Sequence, residues 1–300
     1  MIRPARFAWL VLAHADAEQL SALLARLVPA GSPDFAVVHL DRKSPLWREG
    51  RGAFLARHPN VRLIARPVAV HWAHHSQLSA IRLLLRETLR EDFTHAHLVS
   101  GADWPLATRE TMLADLARAG ERDCGIEAAP GVQDERMRRI SLHARWLRPD
   151  PARPLAVRRE YLLRRLSARL PGRGPGPWGQ WHKGSTWWSL PRDVCQTVAR
   201  ELDRGFARGT FLATQCADEH AIQTIVARAC PHRLAPPRRH VVWDGDWSPR
   251  TLTAADWPEA VASGAWLARK LARAVDPFFL SLPWPAENPP GLFNSGMAPT

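Results

Sequence analysis

Phe7-Ala8-Trp9-Leu10-Val11-Leu12-Ala13 is a wholly apolar run that ends at the polar segment His14-Ala15-Asp16. Seven residues fall far short of the ~20 that a membrane-spanning helix needs. A polar helix start, and not a small-residue cleavage site, follows the run, so it predicts a buried strand and no signal peptide. Asp16 and Gln19 match a capping box. The leucines that continue the helical stripe are Leu20, Leu23, Leu24 and Leu27.

The rest of the chain repeats this alternation of strand and helix patterns. Further strands are predicted at 35–40, 61–64, 95–99, 124–128, 187–190 and 240–243. Helices are predicted at 47–58, at 76–89, after Thr108 and from Pro191 to about Arg204. Another begins at Asp218 and turns Ile222 and Ile225 inward. The last follows Thr253, which caps it and has Asp256 three residues later. Alternating elements predict an α/β fold with a mostly parallel sheet covered on both faces.

Polar segments follow three of the predicted strands, at 13–16, 41–44 and 100–103. In open parallel sheets, ligands bind beyond the carboxyl ends of the strands. We therefore expect these three segments to form a nucleotide pocket.

The composition limits the partners without selecting one. The chain has 300 residues, 46% of them hydrophobic, and a net charge of +12 carried almost wholly by arginine. That charge fits nucleic acid, an anionic membrane face or a phosphorylated substrate. The four cysteines have no CxxC or metal-finger spacing, so we expect reduced, buried thiols and a cytoplasmic protein.

Residues 130–182 are predicted to form a basic insertion of helix and loop. Six arginines lie between Arg153 and Leu170, with leucines at helical spacing, and a Gly/Pro-rich loop follows at 172–179. A solvated surface helix is the simpler interpretation. The sharper one is a basic amphipathic helix on an anionic membrane surface, beside a flap carrying Trp178 and Trp181. The last 25 residues, 276–300, read as a Pro-rich irregular tail.

The pair Asp218-Glu219 and two distant basic residues, Arg239 and Lys270, are the candidates for chemistry. Transfer of a sugar with inversion needs a base for the acceptor hydroxyl, and Glu219 is our candidate. A nucleotide diphosphate leaves as an anion and needs positive charge, which Arg239 and Lys270 would supply. The alternative is that the acidic pair merely opens a helix and complements its dipole.

Metal and nucleic-acid signals are weak. Asp244-Gly245-Asp246 is a D-x-D, but a turn is the favoured interpretation. His71, His74 and His75 lack a fourth ligand at metal-site spacing, so no metal site is predicted. Four arginines lie around Trp146, but no nucleic-acid-binding motif accompanies them. We therefore predict that they form a basic surface exposed to solvent. Those arginines are Arg138, Arg139, Arg145 and Arg148.

Ordered short blocks of the sequence resemble a known family, the core-2/I-branching β-1,6-N-acetylglucosaminyltransferases and peptide O-xylosyltransferases (glycosyltransferase family 14-like). The blocks include His39-Leu40-Asp41-Arg42-Lys43-Ser44, Val70-His71-Trp72-Ala73-His74-His75-Ser76 and Val99-Ser100-Gly101-Ala102-Asp103-Trp104-Pro105-Leu106. They continue with 183–190, 218–225, 239–243 and 268–270, in the family's order. The match covers roughly residues 7–275.

The resemblance implies a single GT-A-like domain over 1–275, an inverting mechanism, a UDP-sugar donor and no metal or other cofactor. It implies Glu219 as the base and Arg239 and Lys270 as diphosphate ligands. The remaining positions follow the family's order: nucleotide-binding His14, Asp41 and Trp72, and sugar- or acceptor-binding Asp103, Trp187 and Asp218.

The membrane anchor, stem and disulfides of the animal members are not evident, so the chain resembles a bacterial, cytoplasmic version. N-acetylglucosamine or xylose is the expected sugar. A glycan or a lipid-linked glycan at the inner membrane face is the expected acceptor, and no nucleic acid is expected. The alternative is a non-catalytic basic module that binds nucleic acid or a membrane surface. A glycoside hydrolase is disfavoured because adjacent carboxylates on a helix do not face each other.

Overall fold

The computed structural model describes residues 5–50, 55, 58–147, 149–174, 176–245 and 248–283. The strands are β1 (Phe7–Ala13), β2 (Phe35–Leu40), β3 (Val61–Leu63), β4 (His95–Ser100), β5 (Asp103–Pro105), β6 (Cys124–Gly125), β7 (Ala129–Pro130), β8 (His182–Lys183), β9 (Ser189–Pro191), β10 (Leu234–Ala235), β11 (Arg239–Val241) and β12 (Leu267–Arg269). The helices are α1 (Ala17–Leu27), α2 (Pro45–Arg48), α3 (Ser76–Thr88), α4 (Arg109–Ala119), α5 (Glu135–Arg138), α6 (Pro154–Arg169), α7 (Arg192–Ala207), α8 (Ala221–Ala229) and α9 (Trp257–Ala262).

The central sheet has the strand order β10-β6-β9-β4-β1-β2-β3. All neighbours are parallel except β9, which runs antiparallel to both β4 and β6. This confirms the predicted α/β class with a mostly parallel sheet. The antiparallel β9 has a consequence for function, because its amino end lies at the edge where the parallel strands have their carboxyl ends.

Side chains of β1 alternate between two cores, which explains why the whole strand is apolar. Leu10 faces one core with α3 and α7, whereas Trp9 and Val11 face the other core with α1. A strand buried on both faces reads as a continuous apolar run. The predicted helical stripe on α1 is buried, and Asp16 caps the helix by accepting a hydrogen bond from the Gln19 amide.

A small second sheet, ordered β11-β12-β5, adjoins the end of β4. Strand β12 pairs antiparallel with β5 and parallel with β11. The Leu271 amide donates to the Ala102 carbonyl at 2.8 Å, which fixes the chain after β12 against the turn after β4. A segment near residue 270 is thereby carried to the carboxyl edge of the central sheet.

Several predicted elements differ from the structure. The helix predicted at 47–58 is present only at Trp47 and Arg48, because α2 ends at Arg48 and Gly50 has a positive φ. Residues 217–219 form a 3-10 turn, and α8 begins only at Ala221. The strand predicted at 124–128 spans only two residues. The caps at Thr108 and Thr253 are confirmed.

Contacts with the core hold described residues of the insertion and of the predicted tail. Helix α6 confirms the helix predicted there. Trp181 is buried in the core and Trp178 stacks on Phe211, so both tryptophans fasten the loop that was predicted to be a flap. Phe279 in the predicted tail packs on Trp104, whereas 284–300 lie outside the described residues. Within the described ranges, no helix combines the length and apolarity required to cross a bilayer.

Replacing Leu10 by alanine tests the dependence of the fold on β1. Leu10 is fully buried in β1, an inner strand of the central sheet, so the free energy of unfolding should fall by about 2–5 kcal/mol. Urea denaturation followed by tryptophan fluorescence measures it. Leu212→Ala, at an exposed site, is the matched control. Equal losses in the two variants would contradict the burial assigned to β1.

Candidate functional site

The carboxyl ends of β1, β2 and β4 meet at one edge of the central sheet. Parallel registers pair Ala13 with Leu40 and Leu12 with Ser100, so the polar residues that follow these strands start at the same level. The predicted neighbourhood of the segments at 13–16, 41–44 and 100–103 is therefore present. This edge is where an open parallel sheet binds ligands.

Asp41 organises the part of this edge beside β2. Its Oδ1 accepts from the amides of Lys43 (3.0 Å) and Val70 (3.2 Å), and its Oδ2 pairs with Lys43 Nζ at 2.9 Å. Burial lowers the pKa of the His14 imidazole; Asp41 partly offsets this effect, whereas Lys43 and Lys270 lower the pKa further. His14, Asp41 and Lys270 thus share one electrostatic neighbourhood, although they come from three distant parts of the sequence.

Asp103 is completely buried beside this neighbourhood. Its Oδ2 accepts from the Ser100 amide at 2.8 Å, and its Oδ1 pairs with Arg269 Nη1 at 2.6 Å. The Arg269 guanidinium also lies 4.1 Å from the ring centre of Trp187, a cation–π contact. Both Asp103 oxygens are therefore bonded within the protein, and the Trp187 ring carries a cation on one face.

Arg239 lies under the same edge, between β4 and β9. Its Nη2 donates to the carbonyls of Leu98 (3.3 Å) and Trp188 (3.2 Å), while Nε and Nη1 are buried without a hydrogen-bond partner among the described residues. Burial lowers the pKa of Arg239 to about 10. It lines a cavity of about 470 Å³ together with Trp266. Its diphosphate role stays a prediction, and it requires the guanidinium to leave this buried position.

Glu219 lies in the 3-10 turn before α8 and is about one-third exposed. Its Oε2 is 3.3 Å from Arg136 Nη1 and 4.0 Å from Lys183 Nζ. Its carbonyl accepts from the Gly184 amide at 2.9 Å. The lack of a side chain at Gly184 lets the chain pass close to Glu127, because a Cβ there would collide with the Glu127 carbonyl. Glu219 is thus an accessible carboxylate between two cations.

Asp218 points the other way and is buried. Thr186 Oγ1 donates to its Oδ2 at 2.7 Å, and Gln223 Nε2 donates to its carbonyl at 3.1 Å. The two adjacent acids therefore differ in environment, since one faces solvent and cations and the other faces the core. This divergence agrees with the expectation that the pair does not form two facing carboxylates.

The pKa values of both acids are raised, first of all by burial. The charge of Asp218 raises the pKa of Glu219 further, whereas Lys183 and Arg136 lower it. Because the two groups interact, they titrate as a pair. An accessible carboxylate with a raised pKa is a better proton acceptor than an ordinary one, so this arrangement suits a general base.

The loop at 71–76 is joined to the Glu219 turn by backbone contacts. The Cys216 amide donates to the Ala73 carbonyl at 2.8 Å, and His74 pairs with Gln215 in an isolated bridge. Ala73 and Cys216 both have left-handed φ values, 57° and 50°, which non-glycine residues rarely adopt. Backbone strain of this kind clusters at functional sites. The exposed Trp72 lies on the same loop.

No group of three or more His, Cys, Asp or Glu side chains suited to a metal ion occurs in the described ranges. His71, His74 and His75 pack against one another, with ring centres 6.0 and 3.9 Å apart. Asp244 pairs with Arg250 at 3.1 Å, and Asp246 lies outside the described residues. Independence from metal stays a prediction.

Three cations of the site, Arg136, Lys183 and Arg269, were not assigned a role from the sequence. Arg136 was one arginine among many, and no local pattern marked it as the partner of Glu219. Arg269 precedes the predicted Lys270, and its pairing with Asp103 depends on a β12–β5 register that the sequence did not reveal. Lys183 opens the family-like block at 183–190, where no role was predicted for it. Its scarcity as a lysine in an arginine-rich chain was the available signal.

Comparisons with known proteins agree with the resemblance found in the sequence. A family model described as "Branch: Core-2/I-Branching enzyme" matches residues 7–262. Mouse xyloside xylosyltransferase 1, in its apo form, is similar over 88% of this chain and 97% of its own, with 10% identity and a TM-score of 0.38. The WbbM bifunctional glycosyltransferase is similar over 88% of this chain and 45% of its own, with 13% identity and a TM-score of 0.39.

S. aureus TarS 1-349 shares 16% identity over 43% of this chain, with a TM-score of 0.30, and the chain spans only 36% of that protein. No curated relative matches the chain. The family match therefore carries the identification, and the low TM-scores add nothing to it.

The Glu219 cluster makes a testable electrostatic prediction. Replacing Arg136 by methionine removes a cation that favours the charged carboxylate, so the pKa of Glu219 should rise. NMR titration of ¹³C-labelled glutamate carboxyls, assigned with Glu219→Gln, measures it. Arg138→Met on the same helix is the control, because Arg138 pairs with Asp134 instead. An unchanged or lower Glu219 pKa in Arg136→Met would contradict the geometry.

Proposed function

The chain belongs to the core-2/I-branching enzyme family, and on that premise we propose that it is an inverting, UDP-sugar-dependent glycosyltransferase. The observation that carries the proposal is Glu219, an accessible carboxylate with a raised pKa at the ligand-binding edge of a mostly parallel sheet. The premise supports sugar transfer with a donor and a glycan acceptor. Donor, stereochemistry and residue roles are our inference.

In the proposed reaction, an acceptor hydroxyl attacks the anomeric carbon of the donor sugar. Glu219 takes the hydroxyl proton as the new C–O bond forms. The bond between the anomeric carbon and the phosphate oxygen breaks on the opposite face, and its electron pair leaves with UDP. Attack opposite the leaving group inverts the anomeric centre. Asp218 supports the base by raising its pKa and by fastening the turn to Thr186.

UDP departs with negative charge, which fixed cations can stabilise without a metal. We assign this role to Lys270 and Arg239, with His14, Asp41 and Trp72 around the nucleotide. Lys270 shares an electrostatic neighbourhood with His14. Arg239 would contribute only after leaving the two carbonyls that now hold it, and its two unpaired nitrogens reduce the cost of that move.

The sugar and acceptor side is assigned to Asp103, Trp187 and Asp218. Trp187 can contact a sugar directly, since it is only half-buried. Asp103 would act indirectly by holding Arg269 on the Trp187 ring. We propose N-acetylglucosamine or xylose as the sugar. A glycan or lipid-linked glycan at the inner membrane face is the proposed acceptor, with no metal or other cofactor.

Replacing Glu219 by glutamine tests the base. The amide cannot accept the proton at neutral pH, so kcat for UDP release should fall about 10²–10⁴-fold with little change in donor affinity. A coupled UDP assay, run after a thermal-shift screen of UDP-sugars has identified the donor, measures it. Glu121→Gln, at an exposed site on a distant surface, is the matched control.

The same assay gives a pH profile. Because the base acts only when deprotonated, kcat/KM should fall as pH decreases through a pKa above the ordinary glutamate value of 4.5. Undiminished sugar transfer by the Glu219→Gln variant would show that Glu219 is not the catalytic base. Release of sugar from a glycan without consumption of a nucleotide sugar would favour a glycoside hydrolase.

Replacing Lys270 by glutamine tests the leaving-group cation. The loss of one charge on the diphosphate should lower kcat about 10²–10³-fold, and full activity in EDTA is expected. Arg90→Gln, an exposed change of equal charge, is the control. Strict dependence on Mg²⁺ or Mn²⁺ in the wild type would refute a purely basic leaving-group site.

A further inference from the structure

One face of helix α6 is turned toward the body of the protein, and its residues recur at helical spacing. Ala156, Glu160, Leu163 and Ser167 are spaced by four, three and four residues and face the body of the protein. Ser167 Oγ accepts from the Leu142 amide at 2.9 Å and donates to the Leu163 carbonyl at 2.7 Å. Glu160, the one acid of α6, is buried and pairs with Arg164. These contacts fix which side of α6 faces outward.

The outward side carries an apolar stripe. Leu155, Leu162 and Leu166 are 81%, 53% and 48% exposed, and their spacing of seven and four residues places them on one line of the helix. A helix on a soluble domain normally turns its leucines inward. Here the leucines point away from the core, so the stripe needs another apolar environment. Because α6 lies on the surface, each of these leucine side chains can contact an apolar environment outside the protein.

Arginines border this stripe on both sides. At about 100° per residue, Arg159 falls on one side, and Arg158, Arg165 and Arg169 fall on the other. All four are exposed, and none forms an ion pair with a carboxylate of the described residues. Arg159 instead lies 4.8 Å from the ring centre of Trp146. The outward face therefore combines leucines with positive charge that the protein leaves uncompensated.

We propose that α6 is a membrane-docking helix that lies flat on an anionic lipid bilayer. Arginines at the headgroup level and leucines in the acyl boundary are the two contacts that such a surface provides together. Nucleic acid would satisfy the arginines but would leave the leucines in water. A neutral bilayer would accept the leucines without attracting the arginines. Arginines and leucines on one exposed face therefore favour an anionic bilayer over the other two partners.

Docking by α6 also orients the proposed catalytic edge. Leu163 on the inner side of α6 and His74 line one cavity of about 350 Å³, and His74 bridges to Gln215 near the Glu219 turn. The bilayer surface would then lie one helix and one cavity away from Glu219. A lipid-linked acceptor would fit this position, a consequence that rests on the proposed function.

Co-sedimentation of the full chain with vesicles tests the docking without any substrate. Vesicles of equal phosphatidylglycerol and phosphatidylcholine should bind the wild type at low salt, and pure phosphatidylcholine should not. Arg158→Gln with Arg165→Gln should weaken binding about 25-fold, because each arginine near the surface contributes about five-fold. Leu162→Ser with Leu166→Ser should weaken it at least about ten-fold at unchanged charge.

Matched controls separate the helix from the overall charge and hydrophobicity. Arg90→Gln with Arg200→Gln makes the same charge change outside α6, and Leu212→Ser with Val275→Ser removes exposed apolar side chains elsewhere. Both should keep vesicle binding, and all variants should keep the wild-type melting temperature. Because no turnover is measured, an inactive enzyme would leave this test unaffected.

Three results would overturn the proposal. The first is vesicle binding that is absent or equal in the α6 variants and their controls. The second is self-association that the leucine variants abolish, seen by sedimentation velocity, which would make the stripe an interface between copies. The third is binding to duplex DNA or RNA that the arginine variants abolish while vesicle binding remains.

Discussion

The ion pair between Asp103 and Arg269 connects the parts of the protein on which the site depends. Asp103 is fully buried and accepts a hydrogen bond from the Ser100 amide at the end of β4. Arg269 comes from β12 of the small sheet. The same guanidinium covers the Trp187 ring ahead of β9. Removing either partner would leave an uncompensated buried charge, which costs about 3–5 kcal/mol. The pair therefore fixes both the sheet junction and the aromatic wall beside it.

Environment, and not residue type, separates the two adjacent acids. Asp218 is held by Thr186 in the core, whereas Glu219 lies between Arg136 and Lys183 at the surface of the edge. Burial raises both pKa values, and the buried acid raises that of its neighbour. The cations act in the opposite sense. The pKa of Glu219 thus lies above that of a free glutamate, while the two cations limit the rise.

Local pattern predicted the elements whose structure is decided locally. Strands β1 and β2 have the predicted bounds, because each is a short apolar run that ends at polar residues and is too short for a typical helix. The helix expected from Trp47 stops at Arg48, where Gly50 follows with a positive φ. The turn at 217–219 replaces the start of a helix, and the Cys216 amide just before it donates to the Ala73 carbonyl of the 71–76 loop. Partners of Glu219 and Asp103 were unpredictable because they are long-range contacts.

The basic composition of the chain divides into two kinds of arginine. Many arginines are neutralised within the protein, as Arg233 is by Asp123 and Asp193 and as Arg250 is by Asp256. For these arginines a compositional preference for arginine is a sufficient explanation, because their charge is already balanced by a carboxylate of the protein. The arginines on the outer face of α6 have no such partner and flank leucines that the core does not use. Mutational drift toward arginine accounts for the residue type but not for this placement. A requirement for an external surface, both anionic and apolar, accounts for it.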